Sequence, residues 1–141
     1  MLDSPVRGFP VGEFEARLER LHKLMSAKGL AGILLMSEPE VRYFSGFLTQ
    51  FWQSPTRPWF LFIPVDKKPI AVIPEIGVAL MRTTWIDDIR TWSAPAPKDD
   101  GISLLKDLLA PLSNQGEKLG VMKGHESSLR MPLGDYERLL S

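Results

Sequence analysis

The sequence predicts an α/β fold, in which helices pack on both sides of a sheet. A helical pattern over residues 13–27 leads directly into residues 30–36, which are nearly all apolar. An unbroken apolar run is typical of a strand that is covered on both faces. Further helical patterns alternate with further apolar runs along the chain, which favours layers of helices around a sheet.

The first helix is predicted from Glu13 to Ala27, and Gly29 is expected to end it. Apolar residues recur at intervals of three and four positions, which places them on one face of the helix and leaves the charged residues on the other. The apolar positions are Phe14, Leu18, Leu21 and Met25, and the charged positions are Glu13, Glu15, Arg17, Glu19, Arg20 and Lys23. The strand that follows, residues 30–36, is predicted to be central in the sheet.

A short capped helix is predicted to follow this strand. Ser37 is expected to accept a hydrogen bond from the free amides at its start, and Pro39 suits the first turn because no donor is needed there. Gly46 permits a left-handed end. Residues 51–59 then place three aromatic side chains and an arginine in a loop that two prolines stiffen.

Two apolar runs, Trp59–Val65 and Ile70–Pro74, are separated by the short polar segment 66–69. A connection of this length predicts an antiparallel hairpin. Pro64 and Pro74 cannot donate to a strand ladder, so both are expected at strand ends or on an edge.

The remaining chain alternates helices, strands and one proline-containing loop at 93–98. We predict a helix over 77–85, a strand over 89–92, a helix over 100–113 that Asp99 or Asp100 caps, a strand over 118–122, and a helix from Pro132 onward. This last pattern reaches Ser141 without a stop signal, so the chain is expected to be truncated.

Composition excludes several classes of function. Seventeen basic and 17 acidic residues leave no net charge, which disfavours binding to nucleic acid or to an anionic membrane. The absence of cysteine excludes disulfides, thiolate catalysis and cysteine-ligated zinc. Neither a membrane span nor a signal peptide is indicated, and the prediction is a cytoplasmic protein.

The residues that usually carry catalysis are sparse. The two histidines are His22, among charged helix positions, and His125, in a predicted turn, and neither has a partner at metal-ligand spacing. The glycines do not form a phosphate-binding loop, and nothing nominates a serine with a base. The sequence therefore predicts no catalytic residue and no metal site in this chain.

The order of these elements, with Pro39, the segment Tyr43-Phe44-Ser45-Gly46-Phe47 and Arg57-Pro58-Trp59, resembles the N-terminal domain of the creatinase, prolidase and aminopeptidase P family. The resemblance spans about residues 14–140. It implies a mixed sheet of five to six strands with helices on both faces. Residues 1–12 are then an N-terminal arm, and residues 13–141 form the domain.

The resemblance also implies a function. The catalytic pita-bread domain of that family, with two divalent metal ions (Mn, Co or Zn), is absent from this chain. The chain is then the non-catalytic N-terminal domain of an Xaa-Pro dipeptidase or aminopeptidase. Its implied partners are its own C-terminal catalytic domain and a second subunit in a homodimer, where it contributes oligomer contacts and the rim of the substrate pocket in trans.

In creatinase-like members, an arginine of this loop reaches the substrate carboxylate, and Arg57 is the matching position. Phe51, Trp52 and Trp59 are expected to exclude water around it. A guanidinium offers a planar two-donor fork to a carboxylate. Two other interpretations remain open: the N-terminal domain of a creatinase-like C–N hydrolase, and a free-standing α/β interaction module that binds through an exposed aromatic loop.

Overall fold

The computed structural model describes residues 8–54 and 57–141, in which helices and strands alternate. The strands are β1 (Leu30–Leu35), β2 (Phe60–Pro64), β3 (Ile70–Pro74), β4 (Asp88–Trp92) and β5 (Lys118–Val121). The helices are α1 (Val11–Lys28), α2 (Glu38–Ser45), α3 (Val78–Met81), α4 (Ile102–Asn114) and α5 (Leu133–Leu140). This order confirms the predicted α/β class.

The five strands of the described residues form one mixed sheet in the order β4-β3-β2-β1-β5. Strand β2 pairs antiparallel with both β1 and β3, which confirms the predicted hairpin. The outer pairs, β1 with β5 and β3 with β4, are parallel. Strand β1, predicted to be central, is an interior strand beside the middle strand β2. Pro64 and Pro74 each close a strand.

Each face of the sheet carries its own hydrophobic core. On one face, Leu61 and Ile63 of β2 pack in a buried cluster that includes side chains of α1, α2 and α3. On the other face, Phe60 and Phe62 pack in a second cluster with Ile102, Leu105 and Leu109 of α4. Successive strand residues point to opposite faces, so one short strand supplies both cores. Each fully buried side chain of this size contributes about 1.5–3 kcal/mol.

Three predicted helix details differ in the structure. Helix α3 ends at Met81, not at Trp85, because the hydroxyls of Thr83 and Thr84 donate to the carbonyls of Leu80 and Met81. Such local bonds compete with continuation of a helix. Ser37 precedes α2 but its side chain makes no capping bond. Helix α1 begins at Val11, inside the predicted arm, of which residues 1–7 lie outside the described residues.

The two carboxylates predicted as alternative caps of α4, Asp99 and Asp100, have different hydrogen-bond partners in the structure. Asp99 Oδ1 accepts a hydrogen bond from the Ser103 amide at 3.0 Å, whereas Asp100 Oδ1 accepts from the indole of Trp92 at 2.6 Å. The hydrogen bonds from Ser103 lower the pKa of Asp99. Asp99 is thus the carboxylate that caps a free amide of α4, although Gly101, two residues later, occupies the N-cap position. None of the described helices is long and apolar enough to span a bilayer.

Candidate functional site

The loop that contains Arg57 lies at the edge of the sheet where four strands end. Strands β1, β3, β4 and β5 run in the same direction, and β2 runs against them, so β2 begins where the others finish. Arg57 precedes β2 by a few residues and therefore lies at this edge. In open α/β sheets, the carboxyl ends of the strands are the usual place for ligands. We call the described residues of this connection, 46–54 and 57–59, the arginine loop.

The segment Tyr43-Phe44-Ser45-Gly46-Phe47 turns the chain from α2 into the arginine loop. The buried hydroxyl of Ser45 donates to the Val41 carbonyl at 2.5 Å and accepts from the Phe47 amide at 3.0 Å. Gly46 has φ 77°, a left-handed conformation that favours glycine. The motif that carries most of the family resemblance is thus a structural turn, and its place in the fold is upstream of the candidate site.

Three of the four aromatic side chains of the arginine loop are buried and the fourth, Phe51, is half-buried, so the prediction of an exposed aromatic patch was wrong. Phe47 and Trp59 have no exposed surface, and Trp52 is 8% exposed. The ring centroids of Trp52 and Trp59 are 6.1 Å apart, and those of Phe47 and Trp59 are 5.5 Å apart. Burial of large rings is strongly favourable, which folds this loop back on the core. The predicted role of Trp52 and Trp59 beside a substrate remains a prediction.

Arg57 is half-buried, and Pro58 and Trp59 after it are buried. Its guanidinium makes no hydrogen bond or ion pair with another residue among those described. The Arg57 carbonyl, in contrast, accepts a hydrogen bond from Arg130 Nη1. The backbone of Arg57 is therefore held in place, while its guanidinium has no polar partner within residues 8–54 and 57–141. This arrangement is compatible with the predicted contact to a carboxylate.

Arg130 is a site residue that sequence reasoning missed. Its guanidinium donates to the carbonyls of Arg57, Ser54 and Trp52, and it lies over the Trp52 ring with its Cζ 5.0 Å from the ring centroid. Burial lowers the pKa of Arg130, and the charge of Glu38 acts in the opposite direction. The sequence feature that could have identified Arg130 is its place between two apolar residues, Leu129 and Met131, in a segment with no helical pattern.

A second arginine, Arg17, also differs from its predicted place on the charged side of α1. It is buried, its Cζ lies 4.4 Å from the Phe9 ring centroid and 4.3 Å from that of Tyr43, and its Nη1 donates to the Tyr43 carbonyl at 2.8 Å. Its Nε lies 3.1 Å from Glu13 Oε1. Arg17 and Arg42 line a surface groove of about 550 Å³ between α1 and α2.

The described residues do not fit a metal centre. No group of three or more histidine, aspartate or glutamate side chains converges within residues 8–54 and 57–141. His22 Nε2 is 3.1 Å from the Lys67 carbonyl, and His125 lies in a turn after β5, as predicted. A two-metal site needs several convergent carboxylates and imidazoles, so no step of metal chemistry can be assigned to these side chains.

The sequence was compared with protein-family models and with curated protein sequences. A family model described as the Creatinase/Prolidase N-terminal domain matches residues 17–140. No curated protein sequence matches the chain.

Solved structures share the fold at low sequence identity. A dipeptidase, PepE, from Mycobacterium ulcerans has a TM-score of 0.66 at 19% identity, over 93% of this chain and 33% of that one. An Xaa-Pro aminopeptidase from Streptococcus pyogenes has a TM-score of 0.64 at 19% identity, over 92% and 84%. The Creatinase/Prolidase N-terminal domain of an X-Pro dipeptidase from S. pyogenes has a TM-score of 0.64 at 18% identity, over 88% and 85%. The chain thus spans about a third of the Mycobacterium dipeptidase.

Proposed function

Because the chain belongs to the Creatinase/Prolidase N-terminal domain family, we propose that it is the non-catalytic N-terminal domain of a metal-dependent Xaa-Pro dipeptidase or aminopeptidase. The match of that family model over residues 17–140 carries the proposal. The lack of a metal-ligand group in the described part of the chain supports a non-catalytic role.

In this proposal the reactive centre belongs to a C-terminal catalytic domain that holds two divalent ions, Mn, Co or Zn. That domain and a second subunit are the partners, and the assembly is a cytoplasmic homodimer. The domain contributes oligomer contacts and part of the substrate-pocket rim in trans. Three solved relatives, a dipeptidase, an aminopeptidase and an X-Pro dipeptidase domain, support the choice of substrate class.

Arg57 is the proposed contact to substrate. Its guanidinium is uncommitted among the described residues and lies at the edge where four strands end. A carboxylate, such as the C-terminus of a dipeptide, accepts two parallel hydrogen bonds from a guanidinium. Its fixed backbone reduces the ordering cost of that contact. Trp59, next to Pro58, anchors the start of β2 beneath it.

A creatinase-like C–N hydrolase remains the second candidate for the parent enzyme, because the matching family model spans creatinases and prolidases alike. Both substrates carry a carboxylate, so the Arg57 proposal is the same for either enzyme. The interpretation as a free-standing interaction module is no longer supported by an exposed aromatic loop, since three of the four aromatic side chains of that loop are buried and Phe51 is half-buried.

The first experiment reads the gene beyond the Ser141 codon. We expect an in-frame continuation with two aspartates, a histidine and two glutamates as separated metal ligands. A native stop codon at that point would contradict the proposal directly.

The second experiment measures steady-state kinetics of the protein encoded by the whole reading frame, with Mn²⁺ or Co²⁺, on Xaa-Pro dipeptides and on creatine. We expect Arg57→Ala to raise KM by about tenfold or more, the effect of losing a charge-assisted bidentate contact. Arg82→Ala, at an exposed arginine after α3, is the matched control and should leave KM unchanged. Identical kinetics of the two variants would remove Arg57 from the site.

A further inference from the structure

Arg130 is the feature of this molecule that neither the family match nor the proposed function explains. It lies in the irregular segment between β5 and α5, more than 70 positions along the chain from the arginine loop. Its Nη1 donates to the Arg57 carbonyl, and its Nη2 donates to the Ser54 carbonyl and, at 3.3 Å, to the Trp52 carbonyl. One side chain therefore joins both sides of the arginine loop.

Topology explains how Arg130 reaches the loop. Strands β1 and β5 are parallel neighbours, so the segment after β5 emerges at the same edge as the loop before β2. Leu129 and Met131 pack against the core cluster of α4. Arg130, between these two residues, instead contacts the arginine loop through its guanidinium.

The chemistry of the contact suits arginine and no other side chain. A guanidinium has five N–H donors in a rigid planar fork, remains charged when buried, and stacks on an aromatic ring. The Trp52 ring, 5.0 Å from the Arg130 Cζ, provides such a face. A lysine has three donors on a point charge without the planar fork, so it cannot reproduce the stack and the carbonyl set together.

We infer that Arg130 is a positioning residue: its guanidinium fixes the backbone at Trp52, Ser54 and Arg57 and thereby aims the Arg57 side chain. The functional half of this inference rests on the proposed function of Arg57. Arg130 itself touches the loop backbone and the Trp52 ring, and its effect on substrate passes through Arg57. Without it, three loop carbonyls lose their common donor, and the loop samples conformations in which Arg57 is misplaced.

The structural half is tested on the 141-residue chain by amide hydrogen exchange. We compare wild type, Arg130→Met, Arg130→Lys and the exposed control Arg82→Met. Arg130→Met should increase exchange at residues 47–54 by about tenfold while amides of β1 and β3 keep their protection, because only local opening changes. Arg130→Lys keeps the charge and the apolar stem, and we expect it to restore less than half of the lost protection.

Unchanged exchange in residues 47–54 of both Arg130 variants would overturn the inference. Near-UV circular dichroism identifies whether Arg130→Met unfolds the chain, and in that event Arg130→Lys alone decides. Full protection in the lysine variant would also contradict the inference, because a simple positive charge would then suffice.

The functional half is tested by a double-mutant cycle in the protein encoded by the whole reading frame. Arg130→Met should raise KM for an Xaa-Pro dipeptide several-fold with little change in kcat, and the variant with both Arg57→Ala and Arg130→Met should be no worse than Arg57→Ala alone. If the rises in KM of the two single variants multiply in the double variant, Arg130 acts independently of Arg57, and the functional half of the inference is overturned. If Arg57→Ala alone changes nothing, the proposed role of Arg57 fails, while the exchange experiment still decides whether Arg130 fixes the loop.

Discussion

At the scale of single residues, two arginines each link segments that are distant in the chain, and neither is a free surface charge. Arg17 joins α1 to the end of α2, and Arg130 joins the segment after β5 to the arginine loop. Both donate to backbone carbonyls and stack on aromatic rings. Arg17 is buried and Arg130 is half-buried. A guanidinium that donates to backbone carbonyls in this way fixes two elements relative to each other, whereas an exposed ion pair contributes little.

Arg17→Met should destabilise the domain by about 1–3 kcal/mol, the effect of losing a hydrogen bond from a charged donor that is itself buried. Methionine retains the apolar stem between Phe9 and Tyr43, so the loss reports the polar contacts of the guanidinium together: the hydrogen bond to the Tyr43 carbonyl, the ion pair with Glu13 and the cation–π contacts. Urea unfolding followed by fluorescence gives the free energy of unfolding. Arg20→Met, at an exposed position of the same helix, should change it by less than about 0.5 kcal/mol. Equal effects of the two substitutions would show that the Arg17 contacts are not stabilising.

Sequence reasoning failed at both residues for the same physical reason. On a helical wheel Arg17 joins the charged positions of α1, and only the position of α2 shows that its face is covered. Arg130 contacts residues that are distant in the chain, and no local pattern encodes such a contact. Arg57, in contrast, could be nominated because its neighbours Pro58 and Trp59 stand next to it in the sequence.

At the scale of elements, local signals predicted the structure where one residue type controls a helix end or a strand end. Gly29 and Gly46 end their helices in the left-handed conformation, and Pro64 and Pro74 close their strands. The prediction failed where side chains compete for the backbone. Thr83 and Thr84 end α3 early, and the side chain of Ser37 does not cap α2 although its position permits it.

The cap of α4 leads to a prediction about pH. The pKa of Asp99 is lowered by its hydrogen bonds from Ser103, so the carboxylate binds protons less readily in the folded chain than in the unfolded one. Its stabilisation is therefore present above the unfolded pKa, about 3.9, and is lost as pH falls through the lower folded value. Asp99→Ala should cost about 1 kcal/mol at pH 7.

Chemical unfolding of Asp99→Ala and wild type at several pH values checks this expectation. The difference between them should shrink once the pH falls below about 3.9. Asp107→Ala removes the same charge from an exposed mid-helix position of α4, and it should not reproduce the loss at pH 7. A difference that stays constant down to acid pH would exclude capping by the ionised Asp99 carboxylate.

At the scale of the whole molecule, the mixed sheet directs four strand ends and the start of β2 to one edge, and the arginine loop and the Arg130 segment meet there. The apolar runs and the hairpin signal were sufficient to predict five strands. The parallel pairings of β1 with β5 and of β3 with β4 join strands that other elements separate along the chain, so no local pattern predicts them. The meeting of the arginine loop and the Arg130 segment where these strands end could therefore be predicted only once the strand order was known.

Metal addition and removal provide a prediction for the whole chain. If the described residues have no metal centre, 1 mM Mn²⁺ or excess chelator should shift Tm by less than about 1 °C, because only a ligand that binds the folded state stabilises it. A site filled at about 100 times its Kd would instead contribute about 2.7 kcal/mol, which is a rise of roughly 8 °C for a domain of this size. The same samples should show no metal-stimulated cleavage of an Xaa-Pro dipeptide. A large Mn²⁺-dependent rise in Tm that the chelator reverses, or measurable turnover, would place a metal centre in this chain and refute its assignment as the non-catalytic domain.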